Sequence, residues 1–130
     1  MNSYRITKGH NLKISGTPKL KIYNVPESQT ITLHPSRLRF FKTKLLIKPN
    51  DNVQVGTPLF FDKNNSDVMF VSPVSGRILD VVYGKRRVVE SIIISNDRSY
   101  STVSIDDNLS KDTLLKSGLW SLIRQKPFSK

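Results

Sequence analysis

The 130-residue sequence contains no cysteine, which excludes a disulfide framework, a thiol nucleophile and cysteine-ligated zinc or iron–sulfur sites. Its two histidines, His10 and His34, are too few for a histidine-rich metal site, and neither has the local serine and aspartate pattern of a catalytic triad. The glycine-rich motifs that bind nucleotide phosphates are also missing. We therefore expect no catalytic residue, no metal site and no independent active site in this chain.

Long hydrophobic runs are missing as well. The longest, such as Ile92–Ile94, are far shorter than a membrane span, and the amino terminus does not resemble a signal peptide. The sequence thus predicts a soluble protein that is cytoplasmic or lies on the surface of a membrane.

Positive charge is abundant: 21 lysines and arginines against 10 acidic residues give a net charge of +11. Such a balance suits nucleic acid, an anionic membrane surface or an acidic partner, but solvated strand faces would give it too. The basic residues are densest in two clusters, which consist of Arg37, Arg39, Lys42, Lys44 and Lys48, and of Lys85, Arg86 and Arg87. We keep Lys85, Arg86 and Arg87 as candidate contacts to an anion or a partner, although a hydrated turn has the same composition.

Short β-prone runs separated by frequent turn residues predict a small β-barrel or sandwich. The expected strands are residues 4–7, 12–14, 22–23, 30–33, 40–48, 53–55, 59–61, 68–71, 77–83 and 88–95. The sequence therefore predicts a β-rich domain over residues 1–105.

Residues 106–130 differ in pattern and predict one or two short helices packed onto or beside the β-domain. Ser110 is a suitable N-cap, and Asp112 in the first turn suits the helix dipole. Gly118 should interrupt the helix, and Pro127 should end it. The apolar stripe of this segment consists of Leu115, Leu119, Leu122 and Ile123.

Two turn elements resemble those of the barrel-sandwich hybrid, the fold of biotinyl and lipoyl domains. The first is NDNVQVGTPL at residues 50–59, in which Asn50 tolerates left-handed backbone and Gly56 permits a tight turn. The second is SPVSGRI at residues 72–78, in which Pro73 ends a strand and Gly76 allows a positive φ before the next one. The expected class is mostly β (α+β), with short carboxy-terminal helices.

A lysine-modified carrier domain is one alternative function. Lys63 is the only lysine between the two turn elements, but it lies near the Gly56 turn, lacks the flanking methionines of biotinyl domains and is too far from Pro73. These departures predict a plain polar loop.

A basic nucleic-acid-binding module is the other alternative. Phe40 and Phe41 lie among Arg37, Arg39 and Lys42, a composition that combines stacking with electrostatic attraction to single strands. No further aromatic residues continue this surface, so nucleic acid is not the favoured partner.

Six segments in order resemble the A-subunit family of sodium-translocating NADH:quinone reductases. They span residue 7 to residue 130 and read TKGHNLKISGTP at 7–18, GTPLFFDK at 56–63, SPVSG at 72–76, GKRRV at 84–88, SGLW at 117–120 and RQKPFSK at 124–130. Members of that family continue into further α/β domains, so we expect this chain to be an amino-terminal domain or a fragment, with a missing or separate downstream domain.

The resemblance implies a non-catalytic domain that scaffolds or lines the quinone-reaction region of a Na⁺-exporting complex. It implies contact with other subunits, notably the B subunit, and with quinone, at a peripheral position on the cytoplasmic face of a bacterial inner membrane. The complex would use FMN, FAD, riboflavin, an iron–sulfur centre, NADH and quinone on or with other subunits, and this chain would bind no cofactor itself. Trp120, Arg124 and Phe128 are the candidate contacts to quinone or to another subunit, although Trp120 could simply anchor the tail to the β-domain.

Overall fold

Two antiparallel sheets make up the β-domain in this computed structural model, which describes residues 15–105, 108 and 110–122. The four-stranded sheet has the order β1-β7-β6-β3, and the three-stranded sheet has the order β2-β4-β5. The strands are β1 Thr30–Leu33, β2 Thr43–Leu45, β3 Asn52–Val53, β4 Pro58–Asp62, β5 Asn65–Val71, β6 Gly76–Tyr83 and β7 Val89–Asn96. The mostly-β class predicted from the sequence is thus confirmed.

The hydrophobic core is built mainly from β4, β6 and β7. Leu59, Ile78, Ile92 and Ile94 are completely buried. Each of these four side chains contributes about 1.5–3 kcal/mol by leaving water, which makes the core the main stabilising feature of the fold. The other core residues are Val53, Phe60, Val81 and Val89.

The turn residues singled out in the sequence have the predicted conformations. Gly56 has a φ of 92°, Gly76 a φ of 146°, and Asn50 accepts the left-handed region with a φ of 76°. Pro73 follows the end of β5 at Val71, where the ladder stops. These residues connect the two sheets at the points that the motifs indicated.

Four predicted strands turn out differently, among them 68–71, which begins earlier, at Asn65, as β5. Residues 22–23 are not a strand, and the side chain of Ile22 is 95% exposed. The run 40–48 is strand only over Thr43–Leu45, because Phe40 takes a left-handed φ of 58° that ends the extended conformation. β3 is Asn52–Val53, not 53–55, because the backbone of Val55 bonds instead to Ser101 and Val103. The predicted strands 4–7 and 12–14 lie outside the described residues.

One short helix, α1 (Lys111–Lys116), follows the β-domain and packs against β5. The Ser110 side chain accepts a hydrogen bond from the Thr113 amide at 3.1 Å, so the predicted N-cap is confirmed. Gly118, with a φ of 75°, separates α1 from a 3-10 helix at Leu119–Leu122. The predicted stripe is therefore split between two helices; its last member, Ile123, lies outside the described residues, as does Pro127.

A buried serine sets the ionisation of one carboxylate at the end of β7. The Ser75 hydroxyl donates to Asp97 Oδ1 at 2.6 Å, and the Ser99 amide donates to the same oxygen at 2.9 Å. These two bonds, led by the Ser75 hydroxyl, hold the pKa of Asp97 below its ordinary value. Because a carboxyl with a lowered folded-state pKa stabilises the protein above its unfolded pKa, this contribution is lost as the pH falls through the folded pKa.

Replacing Ser75 with alanine should therefore raise the pKa of Asp97 and reduce stability at neutral pH. The difference in unfolding free energy between the wild type and Ser75→Ala should narrow as the pH falls below the ordinary Asp pKa. Urea unfolding at neutral and acidic pH, with NMR titration of the Asp97 carboxyl, measures both effects. A difference that stays constant across this range would contradict the linkage.

Candidate functional site

An apolar cleft of about 490 Å³ lies between the β-domain and the carboxy-terminal helices. Its walls include Val55, Phe70, Val103, Leu119 and Leu122. Leu119 and Leu122 are 49% and 77% exposed, so the helical side of the cleft is open to an incoming ligand or partner.

The segment after β7 forms the second wall of the cleft. The Val55 amide donates to the Ser101 carbonyl at 2.9 Å, and the Val103 amide donates to the Val55 carbonyl at the same distance. Val55 and Thr102 thereby form an isolated parallel bridge. This pairing brings Val103 and Ile105 to the cleft, and both residues line it.

Three phenylalanines form a packed aromatic cluster, and two of them line the cleft. The rings of Phe60 and Phe70 are stacked with centroids 4.9 Å apart, and Phe41 meets them edge-on at 5.8 and 5.1 Å. Such aromatic pairs stabilise a fold by about 0.5–1.5 kcal/mol beyond the area they bury. Because Phe41 packs inward here, it does not form a stacking surface together with the exposed Phe40, as the nucleic-acid alternative required.

Of the three candidate contacts to quinone or to another subunit, Trp120 lies within the described residues. Its ring is half-buried in the 3-10 helix, and the Lys111 Nζ lies 5.8 Å from the ring centroid. It is not among the residues that line the cleft, whereas its neighbours Leu119 and Ser121 are. The other two candidates, Arg124 and Phe128, lie outside the described residues, so their predicted roles stay predictions.

Lys85, Arg86 and Arg87 form a short 3-10 turn between β6 and β7, and all three are exposed. The predicted turn is thus present, and its role in binding an anion or partner stays a prediction. Arg87 also lines a separate cavity of about 280 Å³ together with Lys42 and Lys63.

Lys63 occupies the two-residue turn that joins β4 and β5, and its amide donates to the Lys42 carbonyl at 2.9 Å. The predicted polar loop is thus present, as the turn of a hairpin with Lys63 in it. β5 begins at Asn65, earlier than the predicted residue 68, so this turn is shorter than the sequence indicated.

Within the described part of the chain, no group of three or more histidine, aspartate or glutamate side chains could hold a metal ion. The apolar cleft contains no ionisable side chain among its lining residues. Its geometry therefore suits the binding of an apolar ligand or an apolar protein segment, and the described residues that line it offer no proton-transfer group.

Comparison with known proteins gives a consistent family assignment. Residues 4–97 match the family model described as the NqrA N-terminal barrel-sandwich hybrid domain. The chain is 33% identical over 136 residues to a protein of Tolumonas auensis, 34% over 137 residues to one of Marinomonas sp. and 36% over 137 residues to one of Neisseria meningitidis serogroup A. Each of the three is named as the A subunit of a Na(+)-translocating NADH-quinone reductase.

The alignments cover 96–98% of this chain but only 30–31% of each of those relatives. The chain thus spans less than a third of the length of the curated relatives it matches. The description of the matched domain as a barrel-sandwich hybrid confirms the fold that the two turn elements predicted.

Proposed function

The chain belongs to the NqrA N-terminal barrel-sandwich hybrid domain family, and from that premise we propose that it lines the quinone-reaction region of a sodium-translocating NADH:quinone reductase. In this role it scaffolds the region and has no active site of its own. The resemblance drawn from the sequence motifs is confirmed by the family match.

The apolar cleft is the observation that carries this proposal. Its volume of about 490 Å³ is in the range of sites that bury small ligands, and its wall residues are predominantly hydrophobic and aromatic. A quinone has a flat ring and an apolar tail, which suit stacked phenylalanines and aliphatic side chains. Trp120 and, by extension, Arg124 and Phe128 would contact the quinone or a neighbouring subunit from the tail.

The proposed partners are the other subunits of the complex, notably the B subunit. The flavins, the iron–sulfur centre and NADH would be bound on or with those subunits, and this chain would bind none of them. A peripheral position on the cytoplasmic face of the membrane accompanies this arrangement. Within the described residues, no helix is both long and apolar enough to cross a bilayer.

Neither alternative function is favoured. The family match is to the A subunit of the reductase, which gives no support to a modified carrier lysine even though Lys63 lies in a hairpin turn. The inward packing of Phe41 removes one of the two rings on which nucleic-acid stacking depended.

Leu119→Glu tests the role of the cleft in the assembled complex. A carboxylate in this apolar wall should raise the KM for quinone about ten-fold, because the bound quinone would exclude water from the charge. NADH:quinone reductase activity of complexes that contain this chain measures the effect.

Leu79→Glu is the matched control, because Leu79 is also 49% exposed but lies on β6, outside the cleft lining. It should leave the KM unchanged. Equal KM values for the Leu119→Glu complex and the wild type would remove the cleft from the quinone region. Reduction of quinone by the isolated chain with NADH would contradict the proposed absence of an active site.

A further inference from the structure

Seven cations gather at one end of the sandwich, which we call the basic end. They come from three separate segments of the chain, and they are Arg37, Arg39, Lys42, Lys63, Lys85, Arg86 and Arg87. The sequence clusters contain six of them, and the fold adds Lys63 and omits Lys44 and Lys48.

Direct contacts bring these segments together. The Ser36 hydroxyl donates to the Glu90 carbonyl at 3.2 Å, which ties the first segment to the start of β7. The Lys63 amide donates to the Lys42 carbonyl at 2.9 Å, which ties the first segment to the β4–β5 turn. Lys42, Lys63 and Arg87 then line the same cavity of about 280 Å³.

Two carboxylates, of Asp62 and Glu90, lie at the basic end, fewer than its seven cations. Asp62 Oδ1 accepts hydrogen bonds from the amides of Lys42 and Asn64 at 3.0 and 3.1 Å, so this carboxylate caps the backbone of the turn. The Glu90 carboxylate lies against Gly84: a Cβ built on Gly84 would be 2.7 Å from Glu90 Oε1. Among the described residues, none of the seven cations forms a salt bridge; the pair found there joins Arg98 to Glu27.

Large apolar side chains are exposed among these cations. Phe40 is 97% exposed between Arg39 and Phe41, and Leu38 and Val88 are 37% and 51% exposed. Phe40 also has a left-handed φ of 58°, as Arg86 and Arg87 have at 56° and 58°. Bulky residues rarely adopt this conformation, and such strain often marks functional positions.

We propose that the basic end docks onto an anionic phospholipid surface, with Phe40 inserted at the boundary between headgroups and acyl chains. Cations beside exposed aromatic and aliphatic side chains have this complementarity, since the charges attract anionic headgroups and the apolar groups leave water. Nucleic acid fits less well because Phe41 packs inward, and the exposed Leu38 and Val88 offer no stacking surface.

This inference rests on the peripheral position proposed above and adds the surface that makes the contact. Its test needs neither quinone nor any partner subunit, so its failure would leave the role of the cleft untouched. The whole 130-residue chain is mixed with vesicles of phosphatidylglycerol and phosphatidylethanolamine, or of phosphatidylcholine alone, and bound protein is measured by co-sedimentation. Binding should require phosphatidylglycerol and weaken with salt.

Two variants separate the charges from the apolar contact. Lys85→Gln with Arg86→Gln should weaken vesicle binding about thirty-fold, since each cation near an anionic surface contributes about a five-fold change in affinity. Phe40→Asn should weaken binding about ten-fold, because it removes the inserted ring. Asparagine tolerates the left-handed conformation, so this variant should keep the fold.

The matched control is Lys48→Gln with Lys116→Gln, which removes the same charge from residues outside the basic end. It should change binding far less than Lys85→Gln with Arg86→Gln. If both double variants lost vesicle binding equally, the attraction would depend on net charge alone and the proposal would be overturned. It is also overturned if the chain ignores phosphatidylglycerol vesicles at low salt, or if a single-stranded oligonucleotide binds tightly while Phe40→Asn leaves vesicle binding unchanged.

Discussion

Gly76→Ala is expected to lower the free energy of unfolding by about 3–5 kcal/mol, a large part of the stability of a small domain. A Cβ at this position would lie 1.7 Å from the Ser95 carbonyl oxygen and 2.9 Å from its carbon. The φ of 146° adds strain of its own for any L side chain. Since Gly76 pairs with both Val53 and Asn96, the whole four-stranded sheet would have to shift.

Gly56→Ala is the control that separates the steric clash from the backbone strain. Gly56 also has a positive φ, of 92°, but its nearest atom would be Val103 Cβ at 3.7 Å, an ordinary contact. Its cost should therefore be about 1–2 kcal/mol, from conformation alone. Urea unfolding followed by circular dichroism measures both variants. Equal losses in the two would show that the close approach of Ser95 is unimportant.

Gly118→Ala is expected to weaken the docking of α1 and the 3-10 helix onto β5 by about 2–3 kcal/mol. The new Cβ would come within 2.8 and 2.9 Å of the two Val71 methyl groups, at a φ of 75°. The two sheets should stay folded because their core lies elsewhere. Faster hydrogen exchange of residues 111–122, with unchanged protection of β6 and β7, measures this local loss.

Val71→Ala tests whether the contact with Val71 causes the weaker docking in Gly118→Ala. It removes both methyl groups that the new Cβ would meet, so Gly118→Ala combined with Val71→Ala should recover part of the docking free energy. If the two substitutions are simply additive, the contact with Val71 does not explain the effect. Trp120 fluorescence provides a second measure, because its ring is half-buried in the undocking segment.

The sequence predicts the strands best where runs of β-branched residues lie between turn-forming residues. β1 is found at the predicted residues 30–33, and β6 and β7 differ from the prediction by a single residue at each shifted end. Glycine and proline determine these boundaries locally, through backbone conformation and a missing amide donor. Ser110 was predictable for the same reason, since a cap depends on residues three apart.

Local patterns did not predict burial or strand formation where these depend on contacts between residues distant in sequence. Phe40 and Phe41 are adjacent and identical in type, yet Phe41 packs on Phe60 and Phe70 while Phe40 is exposed. The residues around Ile22 have β-propensity but no partner strand among the described residues. β-propensity acts through cross-strand neighbours, which a local pattern does not contain.

The apolar cleft and the basic end could be predicted only in part from the sequence. The Gly-Leu-Trp segment pointed to the tail, but the cleft itself depends on the pairing of Val55 with Thr102. Basic clusters were evident, whereas the meeting of Lys42, Lys63 and Arg87 in one cavity needed the three-dimensional arrangement. The composition showed that basic residues are abundant, and the fold determined where they lie together.

The pairing of β1 with β7 also has a consequence for how the chain acquires its structure. Thr30 is matched with Ser95, so the edge of β1 has no partner until nearly the whole β-domain has been made. At the usual speed of ribosomes this interval lasts about 3–13 s. Such long-range pairing slows folding, so we expect folding times of milliseconds to seconds and a need for early protection of the unpaired β1 edge.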